Sequence, residues 1–334
     1  MHEQKRGHPA VYALLVGFMD MSYNSHKVGG HGGDTFWFHS IMALLPEERV
    51  GFFLSFNSNK GSEVYTSIFK SFMDVYFPDT VDLPNRPNLP VENFARYTGE
   101  YKVTRYPHSD LTKIVSLFMR VKVEPVDSAR LKITSPFESG LYVAVDSITF
   151  RKEFSNERFG FEFDEENKKL RAFEGLLPVF TYEKVSFWES SSTHLAIISL
   201  ALFLGLVTII YWPLVALVRK NYIRGPRARS PLSSTAKLVA WVNYFLLLVF
   251  YLLFSASLGE QETIVFGIPV LLKVSLVFPI LCIGTTLLML LSLPGVFQHH
   301  GYRTRSRLFY LLLCVVSLLA IRQLYYWNLI GYNY

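Results

Sequence analysis

The chain has 334 residues, of which 50% are hydrophobic and 18% are charged, and its formal net charge is +6. This composition excludes a disordered chain, a collagen-like chain and a small protein held together by disulfides. Soluble domains carry charged side chains at about a quarter of their positions, so the deficit predicts that part of the chain contacts lipid. The apolar excess lies in roughly the last 140 residues, which divides the chain into a globular region and a membrane region.

Short apolar runs separated by turn residues predict a small antiparallel sheet in residues 1–77. The predicted strands are Val11–Met19, Phe36–Leu45 and Val50–Phe56. A helix is predicted over Ser62–Tyr76, with one apolar face formed by Val64, Ile68, Phe69, Phe72 and Val75. Three strands and a helix form half a domain, and so short a region makes a small core. We therefore expect that the chain lacks part of its natural N-terminal sequence.

The start of this region has a second interpretation. Ala10–Met19 follows Lys5 and Arg6 and has the length of the apolar part of an export signal. No small-residue cleavage site follows it, and Gly17-Phe18 fits a strand better. The export signal stays open as the alternative to a strand.

A glycine-rich motif lies between the first two predicted strands. Its sequence is Gly29-Gly30-His31-Gly32-Gly33-Asp34-Thr35. So many glycines allow the backbone to pass close to a ligand or to another segment. The motif is neither a phosphate-binding Walker loop nor a dinucleotide-binding fingerprint. Taken alone, it is equally well a hairpin turn that exposes His31.

The residues around the motif carry a resemblance to a known family. The order is His31-Gly32-Gly33, then Phe36–Ser40, Leu45-Pro46-Glu47, and Val50-Gly51 leading to a strand that ends at Asn57. This order resembles the last section of the serine beta-lactamase-related family, which includes class C beta-lactamases and penicillin-binding proteins. The resemblance covers about residues 8–77 and implies a partial beta-lactamase-like α+β domain.

The resemblance also implies a substrate site. His31 would take the Lys/His place of the family's Lys/His-x-Gly element, and Gly33 would take its closing glycine. The implied substrate-binding residues are His31, Gly32 and Gly33, and the implied substrate is a peptide, an ester or a cell-wall component. In this role the strand offers a positive or hydrogen-bonding group to a substrate carboxylate or a tetrahedral intermediate.

The family's nucleophile motifs do not precede His31. Neither Ser-x-x-Lys nor Tyr-x-Asn occurs upstream, and in Ser22-Tyr23-Asn24 the tyrosine and asparagine are adjacent. Asp20, His26 and His39 form no better triad, because no serine can be assigned within hydrogen-bond reach of them. Both cysteines, Cys282 and Cys314, lie in the apolar region. We predict no catalytic residue, no metal site and no cofactor, and the question of enzyme activity stays open.

A proline-rich linker over residues 78–92 precedes a second domain over residues 93–188. Its predicted strands are Tyr97–Val103, Ile114–Val123, Leu131–Thr134, Leu141–Val145, Ser147–Phe150, Phe159–Phe163, Leu170–Ala172 and Phe180–Phe187. Their spacing predicts an antiparallel β-barrel or sandwich. Tyr97-Thr98-Gly99-Glu100-Tyr101 resembles the start of the lipocalin-like domain often appended to this hydrolase family. We expect a filled core, with a ligand-holding barrel as the alternative, and a solvated hairpin tip at residues 165–169.

Four apolar stretches are long enough to span a bilayer as helices, which needs about 20 residues each. They are residues 194–218, 238–257, 274–293 and 308–329. Pro279 predicts a kink in the third span. Lys273 and Arg322 lie near span ends, where their long side chains can reach the membrane surface, so an ion path is the less favoured interpretation.

Charges in the connecting loops predict the orientation of the spans. The first loop carries Arg219, Lys220, Arg224, Arg227 and Arg229, and the third carries Arg303, Arg305 and Arg307 beside His299 and His300. The second carries Glu260 and Glu262. Because basic loops stay in the cytoplasm, residues 1–190 are expected outside it, in a multi-pass protein of the cell membrane. The basic residues thus indicate membrane lipid as partner and not nucleic acid.

These observations leave three functional hypotheses. The first is a membrane-anchored, serine hydrolase-like protein related to beta-lactamases and inactive in the form given by this sequence. The second is a non-catalytic ligand-binding or sensor protein outside the cytoplasm. The third, a small transporter, rests only on Lys273, Arg322 and the four spans.

Overall fold

The computed structural model describes most of the chain in two compact units. The first unit comprises residues 1–106 and 115–186, and the second comprises residues 107–114 and 187–334. Within them the structure describes residues 14–35, 37–58, 61–79, 94–136, 139–155, 157–164, 169–174, 179–222, 232–259, 267–298 and 302–333. The predicted linker lies almost wholly outside these ranges, as do His299, His300, Glu260, Glu262 and most of the predicted hairpin tip.

The first unit begins with a four-stranded antiparallel sheet of order β1-β2-β3-β4. Its strands are β1 (Met19–Asp20), β2 (Gly29–Asp34), β3 (His39–Leu45) and β4 (Val50–Phe56). Helix α1 (Gly61–Tyr76) packs on one face, because alternate residues of β3 are apolar and buried against it. Ile41, Ala43 and Leu45 are the buried β3 members of this core.

The predicted first strand is wrong in the part that the structure describes. Leu14 and Met19 form an isolated bridge, and the Leu15 amide donates to the Phe18 carbonyl over 2.9 Å. Gly17 lies between them with a φ of 75°, in the left-handed region that glycine adopts without strain. The stretch therefore turns back on itself at Gly17, and the predicted strand residues up to 13 lie outside the described ranges.

Helix α1 exists, but its predicted buried face is rotated. Phe69 and Met73 enter the core, with Tyr65 and Phe72 packed beside them. In contrast, the exposed fractions of three predicted core residues are high, at 42% for Val64, 38% for Ile68 and 70% for Val75. Successive helical residues turn by about 100°, so apolar side chains cover a wide arc of α1 and the pattern alone does not select the half that faces the sheet.

The rest of the first unit is a closed barrel of eight antiparallel strands, which settles the choice between barrel and sandwich. The strands are β5 (Gly99–Val103), β6 (Arg120–Pro125), β7 (Arg130–Thr134), β8 (Ser139–Ala144), β9 (Thr149–Lys152), β10 (Arg158–Asp164), β11 (Lys169–Glu174) and β12 (Thr181–Lys184). Closure comes from β12, which pairs with β5. The predicted strand Ile114–Val123 is instead a 3₁₀ helix, Leu111–Leu117, followed by β6.

Aromatic and branched side chains fill the barrel interior, as expected for a packed core. The Phe161 ring is fully buried and lies against four other buried rings, those of Tyr97, Tyr101, Phe150 and Phe159. The remaining core members come from alternate positions of the other strands: Val103, Val121, Val123, Leu131, Ile133, Tyr142, Ala144, Leu170, Ala172 and Tyr182.

Among the described residues, four helices of the second unit are long and apolar enough to cross a membrane, in agreement with the predicted number of spans. They are Ser191–Tyr222, Ser234–Ser257, Val270–Gln298 and Thr304–Tyr326. The first comprises α2 (Ser191–Leu206), a π-helical turn (Val207–Tyr211) and α3 (Trp212–Tyr222). The second is α4, the third comprises α5 (Val270–Ser275) and α6 (Val277–Gln298), and the fourth is α7.

The third span is interrupted at Leu276, between α5 and α6. Pro279 has no amide hydrogen to donate to the Ser275 carbonyl four residues earlier, so the regular ladder breaks there. The Ser275 hydroxyl turns back to donate to the Leu272 carbonyl over 2.7 Å. The kink predicted from Pro279 thus takes the form of a break one turn before it.

Neutral polar side chains join the last three spans. Asn243 of α4 is fully buried and donates from Nδ2 to the Ser317 hydroxyl of α7 over 2.8 Å. Its Oδ1 accepts hydrogen bonds from the hydroxyls of Thr285 and Thr286 of α6, at 2.7 and 3.0 Å. Because lipid competes with apolar contacts between helices, such hydrogen bonds help to hold a membrane bundle together.

Candidate functional site

The glycine-rich motif is a strand of the sheet and not a hairpin turn. All six residues of β2 pair with β3, with His31 opposite Met42 and Gly33 opposite Ser40. On the other side, β1 pairs only with Gly29 and Gly30. From His31 to Asp34, no strand among the described residues covers that outer side of β2. In the described ranges, this stretch therefore presents both an open backbone edge and the side chain of His31.

The His31 side chain is exposed, and its ring is held by a local contact. Nδ1 lies 2.6 Å from the carbonyl oxygen of Gly32. Because a carbonyl only accepts, Nδ1 carries a hydrogen in this geometry and the neutral ring keeps its lone pair on Nε2. Such an imidazole can accept a proton or a hydrogen bond at Nε2, and once protonated it can offer a positive charge to a carboxylate.

The space available for a side chain differs among the glycines of β2. A Cβ on Gly30 would lie 2.6 Å from the Met42 carbonyl oxygen, so close backbone packing excludes a side chain there. A Cβ on Gly33 would lie 3.2 Å from the Ser40 hydroxyl, and one on Gly32 would lie 3.6 Å from the Tyr65 hydroxyl. The glycine-rich motif predicts that the backbone passes close to a ligand or to another segment. At Gly30 the close neighbour is another segment, strand β3.

A cluster of Asp34, the buried His39 and Tyr65, which the sequence pattern did not reveal, anchors the end of β2. Oδ1 of Asp34 lies 2.6 Å from Nδ1 of His39. Oδ2 of Asp34 accepts a 2.7 Å hydrogen bond from the Tyr65 hydroxyl. Burial, together with the neighbouring Asp34 carboxylate, raises the pKa of Tyr65. The cluster joins β2, β3 and α1, so it holds the glycine-rich strand against the helix.

His39 is nearly enclosed, with 5% of its surface exposed. Gly61 opens α1 directly above it, and a Cβ there would lie 2.8 Å from Cδ2 of the ring. Nε2 makes no hydrogen bond to the residues that the structure describes. The alternation of His39 with Ile41, Ala43 and Leu45 is the sequence signal that places it on the core face.

The structure separates the other residues considered for a triad. The Asp20 carboxylate accepts hydrogen bonds from the amide and hydroxyl of Ser22. His26 pairs with Glu48, and this contact lowers the pKa of the Glu48 carboxyl. These pairings stabilise turns of the sheet: the Ser22 hydroxyl is held between the Asp20 carboxylate and the Val28 amide, and His26 pairs with Glu48 and not with this serine.

The first unit contains a Ser-x-x-Lys pattern after His31, in α1. Ser67 and Lys70 lie one turn apart on this helix, and the Lys70 ammonium pairs with the buried Glu157 carboxylate. This ion pair engages the lysine with a carboxylate of the barrel domain. The pattern also follows His31, which reverses the family's order. We therefore assign it no catalytic role.

Metal ligation has no candidate cluster in the described part of the chain. Groups of three or more histidine, cysteine, aspartate or glutamate side chains in ligating positions are not found there. The features of the candidate site are therefore the open edge of β2, the imidazole of His31 and the supporting Asp34 cluster.

Comparison with known proteins gives partial matches to solved structures. No family model matches the sequence, and no curated protein matches it. A structure of SurE with D-Leu aligns with a TM-score of 0.28 and 14% identity, over 52% of this chain and 39% of the other. A second SurE structure aligns with a TM-score of 0.27 and 13% identity, over 51% and 36%.

An octameric penicillin-binding protein homologue from Pyrococcus abyssi is also among the matched structures. It aligns with a TM-score of 0.19 and 13% identity, over 52% of this chain and 37% of the other. The chain thus spans less than two fifths of the length of the structures it matches.

Proposed function

We propose that this chain is a membrane-anchored protein related to the serine beta-lactamase family, whose β2 strand binds an acyl substrate. The observation that carries the proposal is the strand of sequence Gly-Gly-His-Gly-Gly-Asp. It lies in an antiparallel sheet, exposes an imidazole, leaves its outer backbone side open and is followed by two strands and a helix. That order agrees with the resemblance noted in the sequence.

Substrate binding in this proposal uses two groups. Backbone amides and carbonyls along His31–Asp34 pair with an extended peptide or acyl chain, as in other cases of strand addition. Once protonated, the His31 imidazole donates from Nε2 to a carboxylate on the substrate. The Asp34 cluster keeps the strand in place but does not touch the substrate.

Catalysis needs a nucleophile that the described residues do not supply. Ser-x-x-Lys and Tyr-x-Asn are missing upstream of His31. The chain of 334 residues is therefore expected to bind substrate without cleaving it. Any hydrolysis would require a serine and a base from outside this sequence.

The membrane part of the proposal concerns orientation. Arg303 and Arg305 are exposed at the start of α7. If this end of the helix faces the cytoplasm, the start of the first span and the end of the last span face outward. A protease added to intact cells is then expected to cut residues 1–190. Protection of this region in intact cells, with cleavage after lysis, would overturn the orientation.

A non-catalytic sensor is the second candidate, and the missing nucleophile favours it. In a sensor, the first unit would bind its ligand at a surface other than β2. The two candidates therefore differ in whether His31 contributes to ligand affinity.

The test uses the full chain in neutral detergent micelles and two kinds of probe. A fluorescent penicillin and a fluorophosphonate report covalent reaction, and an acyl dipeptide with a free carboxylate reports reversible binding by calorimetric titration. We expect no covalent label, and reversible dipeptide binding that His31→Ala weakens about tenfold, which is typical for loss of a charge-assisted hydrogen bond.

The matched control is His108→Ala, which removes an exposed histidine of the second unit and should leave dipeptide affinity unchanged. Covalent labelling of the chain would refute the non-catalytic assignment. Equal affinities of the wild type and His31→Ala would refute the substrate role of β2 and favour the sensor. Failure to bind the dipeptide at all would remove the support for an acyl substrate.

A further inference from the structure

The start of the first span and the end of the last span meet in an aromatic cluster of the second unit. His194 of α2 is buried and stacks on Tyr326 of α7, with ring centroids 5.4 Å apart and an interplanar angle of 29°. The Tyr326 hydroxyl donates to the Glu189 carboxylate over 2.9 Å. Both helix ends therefore lie at the same level, which is the level of one membrane surface.

Arg322 lies on the surface of this cluster, four residues before the end of α7. At 1.5 Å per residue it is about 6 Å from the helix end, within reach of the headgroup layer for a long side chain. Its guanidinium carbon lies 4.9 Å from the ring centroid of Trp188. Arg322 is exposed, and no ion pair with an acidic side chain is found for it among the described residues.

The surroundings of Arg322 are those of a lipid interface. Exposed aromatic side chains flank it, with 72% of Phe187, 48% of Trp188 and 75% of Tyr325 accessible. Aromatic rings of this kind concentrate at the headgroup level of membranes. Guanidinium is charged at all physiological pH values, and its exposure toward hydrocarbon without an anion is costly.

The geometry leaves the hydrogen-bonding edge of Arg322 available. Trp188 covers a face of the guanidinium, whereas the N–H groups lie in its plane and can donate to two oxygens of a phosphate. One helical turn further, the Lys113 ammonium lies 4.3 Å from the Tyr326 ring centroid and adds a second positive charge on the same side. The Glu189 carboxylate contacts this cluster by accepting from the Tyr326 hydroxyl.

We infer that Arg322 and Trp188 form a binding site for the phosphate of a membrane phospholipid. The planar guanidinium binds the phosphate oxygens, Trp188 orients the guanidinium, and the exposed rings contact the glycerol and upper acyl chain. A free phosphate ion would gain the charge contact but not the contacts with the rings. The site is specific for a lipid phosphate and goes beyond the proposed binding of acyl substrate at β2.

The test is native mass spectrometry of the full chain in neutral detergent, titrated with phosphatidylglycerol. The wild type is expected to retain the lipid, and Arg322→Gln to weaken the apparent affinity about tenfold. Arg322→Lys should recover only part of it, because an ammonium keeps the charge but not the planar pair of donors. Arg305→Gln is the matched control, since it removes an equal charge about 26 Å away at the other end of α7.

Three further measurements test whether the phosphate belongs to a lipid and whether the Trp188 ring contributes to binding. Diacylglycerol, which has the same tails without phosphate, should bind at least tenfold more weakly, and inorganic phosphate at millimolar concentration should not displace the lipid. Trp188→Leu should weaken retention without removing a charge, and it serves as the second variant if Arg322→Gln does not fold.

Equal retention by Arg322→Gln and the wild type would overturn the inference. So would equal loss in Arg305→Gln, displacement by inorganic phosphate, or equal retention of diacylglycerol.

Discussion

The barrel and the membrane bundle both bury polar clusters, but they bury different kinds of group. In the barrel, the Glu174 carboxylate accepts hydrogen bonds from the hydroxyls of Ser135 and Tyr182, at 2.7 and 2.9 Å. In the bundle, the corresponding cluster is centred on the neutral amide of Asn243. A water-exposed domain can tolerate an ionisable group in its interior, whereas the bundle cluster uses only amide and hydroxyl groups.

This difference reflects what drives each region to fold. The barrel removes large aromatic side chains from water, and that burial dominates its stability. The bundle exchanges contacts with lipid for contacts between helices, so packing and hydrogen bonds carry more of its stability. Removing a buried aromatic ring should therefore lower the stability of the barrel most. Removing a neutral polar group should lower the stability of the bundle.

The largest effect is expected from Phe161→Ala in the barrel. The ring is fully buried against four other rings, so its removal leaves a cavity and should cost about 3–5 kcal/mol of unfolding free energy. Urea denaturation of the full chain in micelles, followed by near-ultraviolet circular dichroism, measures this cost. Phe163→Ala is the control on the same strand, because Phe163 is 47% exposed and should cost about 1 kcal/mol or less. Similar costs for both variants would contradict the packed core.

A smaller effect is expected from Asn243→Ala in the bundle. Hydrogen bonds between membrane helices contribute about 0.6 kcal/mol on average and up to about 1.7, and Asn243 makes three of them. We expect a total loss of about 1–2 kcal/mol, measured by unfolding in mixed micelles of increasing dodecyl sulfate content. A double-mutant cycle with Ser317→Ala isolates the direct contact, and a coupling energy of zero would show that this hydrogen bond does not stabilise the bundle.

Glu174 should give the barrel a specific pH dependence. Burial raises the pKa of its carboxyl above the ordinary value of 4.5, so the folded barrel binds the proton more tightly than the unfolded chain. Stability should therefore decrease as the pH rises from about 4.5 through the raised pKa, and then level off. Urea midpoints measured across this range should show the decrease in the wild type and a flatter profile in Glu174→Gln.

The control for this pH dependence is Glu162→Gln, on the adjacent strand β10. Glu162 is exposed, so its substitution should leave the slope of the wild-type profile intact. A Glu174→Gln profile with the same slope as the wild type would contradict a raised pKa of this carboxyl in the fold.

The sequence predicts the regions of this molecule that have a strong repeating pattern. The four spans follow from apolar length, and the barrel follows from strands spaced about ten residues apart. Barrel and sandwich differ only in whether the first and last strands pair. Here that pairing joins Tyr182 with Val103, which are distant in sequence, so no local pattern reports it.

The candidate site was only partly predictable for the same reason. The glycine-rich motif stands out by its composition, and the family resemblance implied a role for His31, Gly32 and Gly33. Glycine is a poor strand former, however, and β2 owes its conformation to pairing with β3. The Asp34 cluster combines side chains from two strands and a helix, and Tyr65 is 31 positions from Asp34. A contact of that kind depends on which face of α1 meets the sheet, and only Phe69 and Phe72 of the predicted face lie there.

The smallest effect on stability is expected at His31, and the contrast with His39 makes it informative. The His31 ring is exposed and, within the described part of the chain, its hydrogen bond goes to the neighbouring carbonyl of Gly32, so His31→Ala should change the unfolding free energy by about 0.5 kcal/mol or less. His39→Ala removes a buried partner of Asp34 and should cost about 1–3 kcal/mol. Urea midpoints of the two variants measure both values. A large loss in His31→Ala would mean that the ring supports the sheet, and any loss of ligand affinity in that variant would then no longer identify a binding group.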